Sequence, residues 1–192
     1  MNKEMENALN KKLYRCDDEL YSHLLECKSL CLKYNNCDPK DYEGSNRLLD
    51  MIIAKHGKNI RIVPPFYCDY GYNIEIGNNF YSNHNLVVLD CNKIKIGDNV
   101  LIGPNCTISA AAHPIKPEVR LTGYEYALPI TIGDNVWIGA NVTILPGVTI
   151  GNDSVIGANS LVNKDIPNGV VAAGNPCKVL RSVYEGDDKY EE

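Results

Sequence analysis

Residues 132–162 read IGDNVWIGANVTILPGVTIGNDSVIGANSLV, and every sixth position of this stretch is aliphatic: Ile132, Ile138, Ile144, Ile150, Ile156 and Val162. Glycine follows directly at 133, 139, 151 and 157, whereas Leu145 and Asn163 break that part of the pattern. A period of six matches neither an α-helix, with about 3.6 residues per turn, nor a strand, with a period of about two. It indicates a solenoid whose coils have flat sides, each side being one hexad.

The same period extends toward the N-terminus, through Ile76, Ser82 and Val88 and then through Ile96, Ile102 and Ile108. The register shifts by two between Val88 and Ile96, which predicts a small insertion around Asp90–Asn92. Three hexads make one triangular coil, and parallel pairing stacks adjacent coils at about 4.8 Å. The hexad spacing over residues 60–176 therefore predicts roughly five or six coils.

One segment, Ser109–Pro129, interrupts the hexads and contains His113-Pro114. A loop of about twenty residues inside a regular solenoid is usually functional or disordered. The single histidine favours a functional loop, and a mobile surface flap stays open as the alternative.

The N-terminal 57 residues have a helical pattern instead. One apolar stripe follows Asp17 and Asp18, and a second runs to Gly57, with Ser45 or Asn46 as possible caps at its start. The stripes are Leu20, Leu24, Cys27, Cys31 and Tyr34, then Leu48, Leu49, Ile52 and Ile53. We predict a helical cap over 1–57, a solenoid over 58–181 with the loop 109–129, and a polar tail over 182–192.

Composition excludes several classes of protein. A net charge of -5 over 192 residues argues against nucleic-acid and anionic-membrane partners. The chain has neither a long apolar run nor the apolar stretch of a signal peptide near its N-terminus, so we expect a cytoplasmic protein. Its eight cysteines show no CxxC pattern, so we expect reduced, packed thiols and no metal site.

The order of short motifs along the chain resembles the bacterial hexapeptide-repeat acyltransferases, and among them the maltose and galactoside O-acetyltransferases. The motifs are Leu13-Tyr14-Arg15, Tyr70-Gly71-Tyr72-Asn73, Gly77-Asn78-Asn79-Phe80, Pro129-Ile130-Thr131-Ile132-Gly133, Val136-Trp137-Ile138-Gly139 and Gly174-Asn175-Pro176. The resemblance implies a mainly β fold, a left-handed parallel β-helix (hexapeptide-repeat solenoid) with a small N-terminal α-helical cap. It also implies a homotrimer that binds acetyl-CoA as cosubstrate, without a metal, in the groove between neighbouring subunits.

His113 matches the position of the catalytic base in this family. A histidine whose pKa is near neutral can take a proton from a sugar hydroxyl and release it afterward. The hydroxyl then attacks acetyl-CoA directly in a ternary complex. Asn83 matches a site residue whose amide binds substrate and the developing oxyanion.

The resemblance also assigns carboxylates to the sugar acceptor. Asp69 and Glu125 match acceptor-facing positions and favour the maltose/glucose branch, since galactoside enzymes tend to have Ser and Met there. Asp17 is a weaker match, and for Asp90 a structural role at the insertion is equally open.

For acetyl-CoA the resemblance points to the later coils. Trp137 packs on the pantetheine arm, small residues let that arm approach the backbone, and cations bind the phosphates. The cofactor-binding set is Trp137, Ala140, Ala158, Asn163, Lys164, Lys178 and Arg181. Asn163 stands where relatives often have Thr, and Lys178 where some have Arg.

Other functions on this scaffold stay open. The acceptor of an O-acetyltransferase can be a galactoside, a lipo-oligosaccharide or a streptogramin antibiotic. A carbonic anhydrase on the same helix needs three zinc-ligand histidines, but only His84 and His113 lie in the solenoid. A third class is a non-catalytic trimeric scaffold.

Overall fold

The structure, a computed structural model, describes residues 2–53 and 55–185. Three helices come first: α1 (Lys3–Leu9), α2 (Asp18–Asn35) and α3 (Tyr42–Ile52). Asp17 caps α2 by accepting from the Leu20 amide at 3.0 Å, and Asp41 caps α3 by accepting from the Gly44 amide at 2.9 Å. The predicted caps of α3, Ser45 and Asn46, are wrong because Asp41 begins the helix one turn earlier. Helix α1 was not predicted.

The solenoid follows in coils of short strands. The first three coils are β1 (Lys55–His56), β2 (Arg61–Ile62), β3 (Phe66–Cys68); β4 (Ile74–Ile76), β5 (Tyr81–Ser82), β6 (Leu86–Leu89); and β7 (Ile94–Ile96), β8 (Leu101–Ile102), β9 (Thr107–Ser109). The interrupting loop contains β10 (Ala111–Ala112), α4 (Pro117–Arg120) and β11 (Tyr126–Ala127). The remaining strands are β12 (Ile130–Ile132), β13 (Trp137–Ile138), β14 (Thr143–Ile144); β15 (Thr149–Ile150), β16 (Val155–Ile156), β17 (Leu161–Val162); and β18 (Val170–Ala173), β19 (Lys178–Ser182).

Within the described residues the coils stack into three parallel faces. Face 1 is β1-β4-β7-β12-β15, face 2 is β2-β5-β8-β13-β16-β18 with β19 antiparallel on β18, and face 3 is β3-β6-β9-β14-β17. We call the turns between them corner 1/2, corner 2/3 and corner 3/1. The predicted fold, a parallel β-helix of about six coils with an N-terminal helical cap, is confirmed.

The spacing of paired residues confirms the predicted insertion. Glu75 pairs with Lys95, twenty positions on, whereas Thr131 pairs with Thr149, eighteen positions on. The two extra residues fall at corner 3/1, where Asp90–Asn92 lie. The strand pairs Cys68↔Val88 and Ile76↔Ile96 place an equal insertion one coil earlier, around Tyr70–Tyr72, which the hexad pattern did not reveal.

The inward hexad residues form one core. Ile138, Ile156 and Val162 are fully buried, while their strand neighbour Trp137 points outward and is 56 % exposed. The solenoid begins at Lys55, three residues before the predicted boundary, and β19 ends at Ser182, one residue after it. Of the predicted tail, 186–192 lie outside the described residues. No helix in the described part of the chain is both long and apolar enough to span a membrane.

Close coil stacking at corner 1/2 explains the residues that follow each aliphatic position. Asn79, Asn99 and Asn135 adopt left-handed φ values near 57°, and their amides form a ladder: Asn79 donates to Asn99 at 2.9 Å and Asn99 to Asn135 at 2.9 Å. Beside this ladder, the Asp134 Oδ1 atom accepts from the Asp98 amide at 2.8 Å. It occupies the space next to Gly97, where a Cβ would lie only 2.3 Å from it.

Gly97→Ala should therefore destabilise the solenoid. The added methyl group displaces the Asp134 carboxylate and presses on the next coil, so we expect the free energy of unfolding to fall by about 2 kcal/mol or more. Lys95→Ala, at an exposed position of β7 two residues earlier, is the control and should change the free energy of unfolding by about 0.5 kcal/mol at most. Denaturant titration of both variants measures this, and equal effects would show that the corner tolerates a Cβ.

Candidate active site

The interrupting loop is an anchored hairpin. β10 and β11 pair antiparallel, with Ala111 opposite Ala127 and Ala112 opposite Tyr126. Beyond them the Arg120 guanidinium donates to the carbonyls of Pro114, at 3.0 Å, and Ile115, at 2.9 Å, and so closes the tip on itself.

His113 follows β10 directly and is exposed. Among the described residues its ring has no hydrogen-bond partner. An imidazole in this state can accept a proton from a bound molecule, provided that the neutral tautomer presents its lone pair to it. The hairpin therefore presents a candidate base on a defined strand end.

The base of the hairpin is bound to the helical cap and to corner 3/1. The buried Asn92 amide donates to the carbonyls of Ala8, at 2.8 Å, and Ala127, at 3.0 Å. Tyr14 and Glu125 exchange backbone hydrogen bonds, and the Tyr14 hydroxyl donates to Glu125 Oε2 at 2.9 Å. Burial raises the pKa of Tyr14, so its hydroxyl stays a donor. No role at the site is predicted for Tyr14 or Asn92 from the sequence alone.

The charges of three predicted acceptor carboxylates act on the Cys16 thiol. Burial is the main cause of the raised pKa of Cys16, and the negative charges of Glu125, Asp17 and Asp69 each raise it further. Asp69 is half-buried, and burial raises its own pKa as well. The Cys91 thiol donates to Asp69 Oδ2 at 3.6 Å.

Asp17 and Asp90 differ from Glu125 and Asp69 in that both of their carboxylate oxygens accept hydrogen bonds, whereas Glu125 and Asp69 each have only one oxygen so engaged among the described residues. Asp17 accepts from Leu20 and from the Asn2 amide, at 2.8 Å for the latter, and the Leu20 hydrogen bond lowers its pKa. Asp90 is fully buried and accepts from the backbone amides of Asp69, Tyr70 and Asn73 at 2.8 to 3.2 Å.

Burial raises the pKa of Asp90 to about 6, against those backbone donors. The structure gives Asp90 the structural role, shaping the inserted corner, and leaves it no exposed oxygen for an acceptor. The expectation of a direct acceptor contact for Asp90 is corrected on that ground.

Asn83 and the two predicted small residues lie at corner 2/3. The backbone hydrogen bonds Asn83→Ile102 and Gly139→Ile156 put Asn83, Ala140 and Ala158 at this corner in different coils. Asn83 Oδ1 accepts from the His84 amide at 2.8 Å, and in the described part of the chain its Nδ2 group has no acceptor. The two N–H groups of this side-chain amide can each donate a hydrogen bond to a ligand.

The other predicted cofactor-binding residues divide between two places. Trp137 lies on face 2, and Lys178 and Arg181 lie on β19 at the end of that face. The Arg181 guanidinium donates to the Ser182 carbonyl at 3.1 Å. Asn163 and Lys164 are exposed at corner 3/1, just after β17.

The coil topology thus separates the two predicted catalytic groups. The loop with His113 leaves the solenoid after β9, at corner 3/1, whereas Asn83 follows β5 at corner 2/3. Within one chain they occupy different corners of the triangle.

Three cysteines come together where α2 packs on β3. Cys68 Sγ lies 3.4 Å from Cys27 Sγ and 3.8 Å from Cys31 Sγ, and all three sulfur atoms are within 4.8 Å of one another. All eight cysteines are free thiols. Sequence spacing did not reveal this cluster, because Cys27 and Cys31 are one helical turn apart and Cys68 joins them only through the fold.

Triangular coils, a histidine-bearing loop and corners of small residues define a hexapeptide-repeat acyltransferase. Family models match in three places: the maltose acetyltransferase hexapeptide capping motif at 9–57, the hexapeptide repeat of succinyl-transferase at 93–111, and the bacterial transferase hexapeptide (six repeats) at 129–164.

Individual proteins are similar over nearly the whole chain. The galactoside O-acetyltransferase of Escherichia coli is 50 % identical over 166 residues, which cover 86 % of this chain and 82 % of that protein. The crystal structure of a maltose O-acetyltransferase from Clostridium difficile matches with a TM-score of 0.94 and 45 % identity, covering 96 % of this chain and 99 % of that one. A galactoside acetyltransferase in complex with coenzyme A matches at 0.93 and 46 %, covering 98 % and 94 %. The chain belongs to the galactoside and maltose O-acetyltransferase family.

Asn92→Ala should loosen the hairpin that carries His113. Removing the amide takes this donor from the buried Ala127 carbonyl and leaves the Ala8 carbonyl with the Lys11 backbone amide, so we expect a loss of about 1–3 kcal/mol in the free energy of unfolding. Backbone hydrogen exchange over 110–128 should also become faster than in the unmodified protein.

The matched control is Asn10→Ala, which removes an exposed amide bonded to the Glu6 carbonyl of α1. It should leave exchange in the hairpin unchanged. Unaltered exchange in Asn92→Ala would mean that Asn92 does not anchor the loop.

Proposed function

We propose that the chain is an acetyl-CoA-dependent O-acetyltransferase that transfers an acetyl group to a hydroxyl of a maltose- or glucose-type sugar. The observation that carries the proposal is the register of the hairpin. The ladder ends at Ala112 opposite Tyr126, and His113 and Glu125 are the next residues on its two strands, with the Glu125 backbone paired to Tyr14. A base beside a hydrogen-bonding carboxylate suits a bound sugar hydroxyl.

In the proposed reaction His113 accepts the proton of the sugar hydroxyl as the hydroxyl oxygen bonds to the acetyl carbonyl carbon. The Asn83 amide donates to the carbonyl oxygen while negative charge develops there. As the carbon–sulfur bond breaks, the leaving thiolate takes the proton from His113. The products are the sugar ester and CoA with a free thiol, and the histidine is neutral again.

Acetyl-CoA would lie along face 2 and corner 2/3. The exposed indole of Trp137 offers an apolar surface to the pantetheine arm, and Ala140 and Ala158 leave the backbone accessible. Lys178 and Arg181 supply positive charge for phosphates, with Lys178 limited to a point charge because an ammonium group cannot form the two-pronged contact of a guanidinium. The similar galactoside acetyltransferase structure in complex with coenzyme A supports this choice of donor.

We further propose a homotrimer in which each site lies between two chains. His113 would come from one subunit and Asn83 from its neighbour, since a single chain keeps them at different corners. The loop tip supports this assembly, because Ile115 is 88 % exposed and Leu121 is 84 % exposed. Apolar side chains grouped on a protruding loop favour burial against another surface.

For the acceptor, Asp69 and Glu125 support a maltose- or glucose-type sugar, whose hydroxyls carboxylates can bind. Asp17 is retained as a contact at the edge of this group. The free thiols fit a reducing compartment, so we propose the cytoplasm as the site of the reaction.

His113→Ala should lower kcat by about 10²–10⁴, because the hydroxyl loses its base. KM for acetyl-CoA should change little, since Trp137 and the cations remain. Release of the CoA thiol is measured across maltose, glucose, galactosides and a streptogramin, and we expect maltose or glucose to stimulate it most.

His56→Gln is the matched control, because His56 lies on β1 and bonds to Asp50 at 2.9 Å, away from the hairpin. It should keep the full rate. An unchanged rate in His113→Ala would refute the assigned base, and thiol release stimulated by none of the sugars would refute the acceptor class.

Mixing two inactive variants tests whether the site is shared between subunits. When His113→Ala and Asn83→Ala chains are refolded together at equal amounts, a cyclic trimer with both chains contains one intact site. Random assembly should restore about a quarter of the unmodified activity.

The control replaces one partner by the double variant His113→Ala/Asn83→Ala, which cannot complete any site and should restore nothing. Light scattering should give three times the chain mass of 21.3 kDa. A monomer, or a trimer without restored activity, would show that the site lies within one chain.

A further inference from the structure

We propose that Cys27, Cys31 and Cys68 bind a thiophilic metal ion, which is Zn²⁺ in the native protein. This ion joins the helical cap to the solenoid. None of the three ligands belongs to the residues of the proposed acetyl transfer, although Asp69 directly follows Cys68 and lines the same cavity, and the proposal does not depend on that function. Two ligands come from successive turns of α2 and the third from the end of β3.

The sulfur positions match those of a zinc–thiolate site. A Zn–S bond is about 2.3 Å long, so the sulfurs of a tetrahedral site lie about 3.8 Å apart. Here Cys31 and Cys68 are 3.8 Å apart, Cys27 and Cys68 are 3.4 Å apart, and all three pairs are below 4.8 Å. Small side-chain rotations suffice to place the three atoms around one ion.

The cluster has an entry route and a place for a fourth ligand. Cys31 and Cys68 line a cavity of about 760 Å³ that is open to solvent between α2 and β3. A water molecule entering from this cavity can complete a tetrahedron. Lys28 lines the same cavity. Its positive charge partly balances the net single negative charge that Zn²⁺ and three thiolates carry together.

The chemistry requires no oxidant. Each thiol releases its proton to solvent as its sulfur bonds to the metal, so affinity falls when the pH is lowered. A soft donor set of this kind selects Zn²⁺ or Cu⁺ over Mg²⁺ or Ca²⁺. Because the ligands come from both parts of the fold, binding stabilises their contact.

The test uses the full chain, reduced and stripped of metal with a chelator. Titration with Zn²⁺ against a chromophoric chelator should show one ion bound per chain, and Cd²⁺ should produce a sulfur-to-metal charge-transfer band in the ultraviolet. With free Zn²⁺ about a hundredfold above Kd, we expect Tm to rise by about 5–10 °C. Mg²⁺ should do neither.

Cys31→Ser and Cys68→Ser should each weaken Zn²⁺ binding by at least about a hundredfold. Cys37→Ser is the matched control, because this residue follows α2 outside the cluster and should bind as the unmodified chain does. Since a core variant can misfold, alkylation of the unmodified protein provides a second measurement. Zn²⁺ should protect Cys27, Cys31 and Cys68 and leave Cys16 reactive.

The absence of zinc uptake by the reduced chain would overturn the proposal, and so would uptake that persists in Cys31→Ser and Cys68→Ser. Protection of Cys16 in place of the cluster would also overturn it.

Discussion

The stacking of each coil on the next is the constraint on which the rest of the molecule depends. Backbone amides donate to the carbonyls of the following coil, as Gly97 does to Ile132 at 2.9 Å and Gly133 to Ile150 at 2.8 Å. At a coil separation near 4.8 Å, Gly97 and Gly133 have no room for a Cβ, which would lie 2.2–2.3 Å from a side-chain oxygen of the next coil. The six-residue pattern therefore has two causes. Aliphatic residues fill the interior, and glycine and left-handed asparagine permit the turns.

Stacking also turns the corners into columns, so that a residue's place in the hexad determines its neighbours in other coils. Asn83 shares corner 2/3 with Ala140 and Ala158 although 57 or more positions separate them in sequence. Corner 3/1 departs from this regularity. Two extra residues lengthen this corner. The buried carboxylate of Asp90 accepts hydrogen bonds there from backbone amides of the preceding coil.

Periodicity was enough to predict the coils, the insertion at Asp90–Asn92 and the loop 109–129, because each is a property of spacing along the chain. The resemblance to a family supplied the roles of His113 and Asn83, and these roles stay predictions. What spacing did not reveal depends on tertiary contact. The Tyr14–Glu125 pair joins residues 111 positions apart, and Asp90 differs from Asp69 only in which atoms surround it. The cysteine cluster likewise needs α2 to dock on β3.

These contacts show why the helical cap is more than a cover for the end of the solenoid. Tyr14 binds Glu125, directly before β11 of the hairpin, and the Ala8 carbonyl of α1 shares the Asn92 amide with Ala127. The position of the loop that carries His113 therefore depends on the cap as well as on the coils. A change in the contact between α2 and β3 would be transmitted to Asp69, which directly follows β3. The boundary near residue 57 separates two kinds of secondary structure, but the proposed acceptor side of the site is built from both.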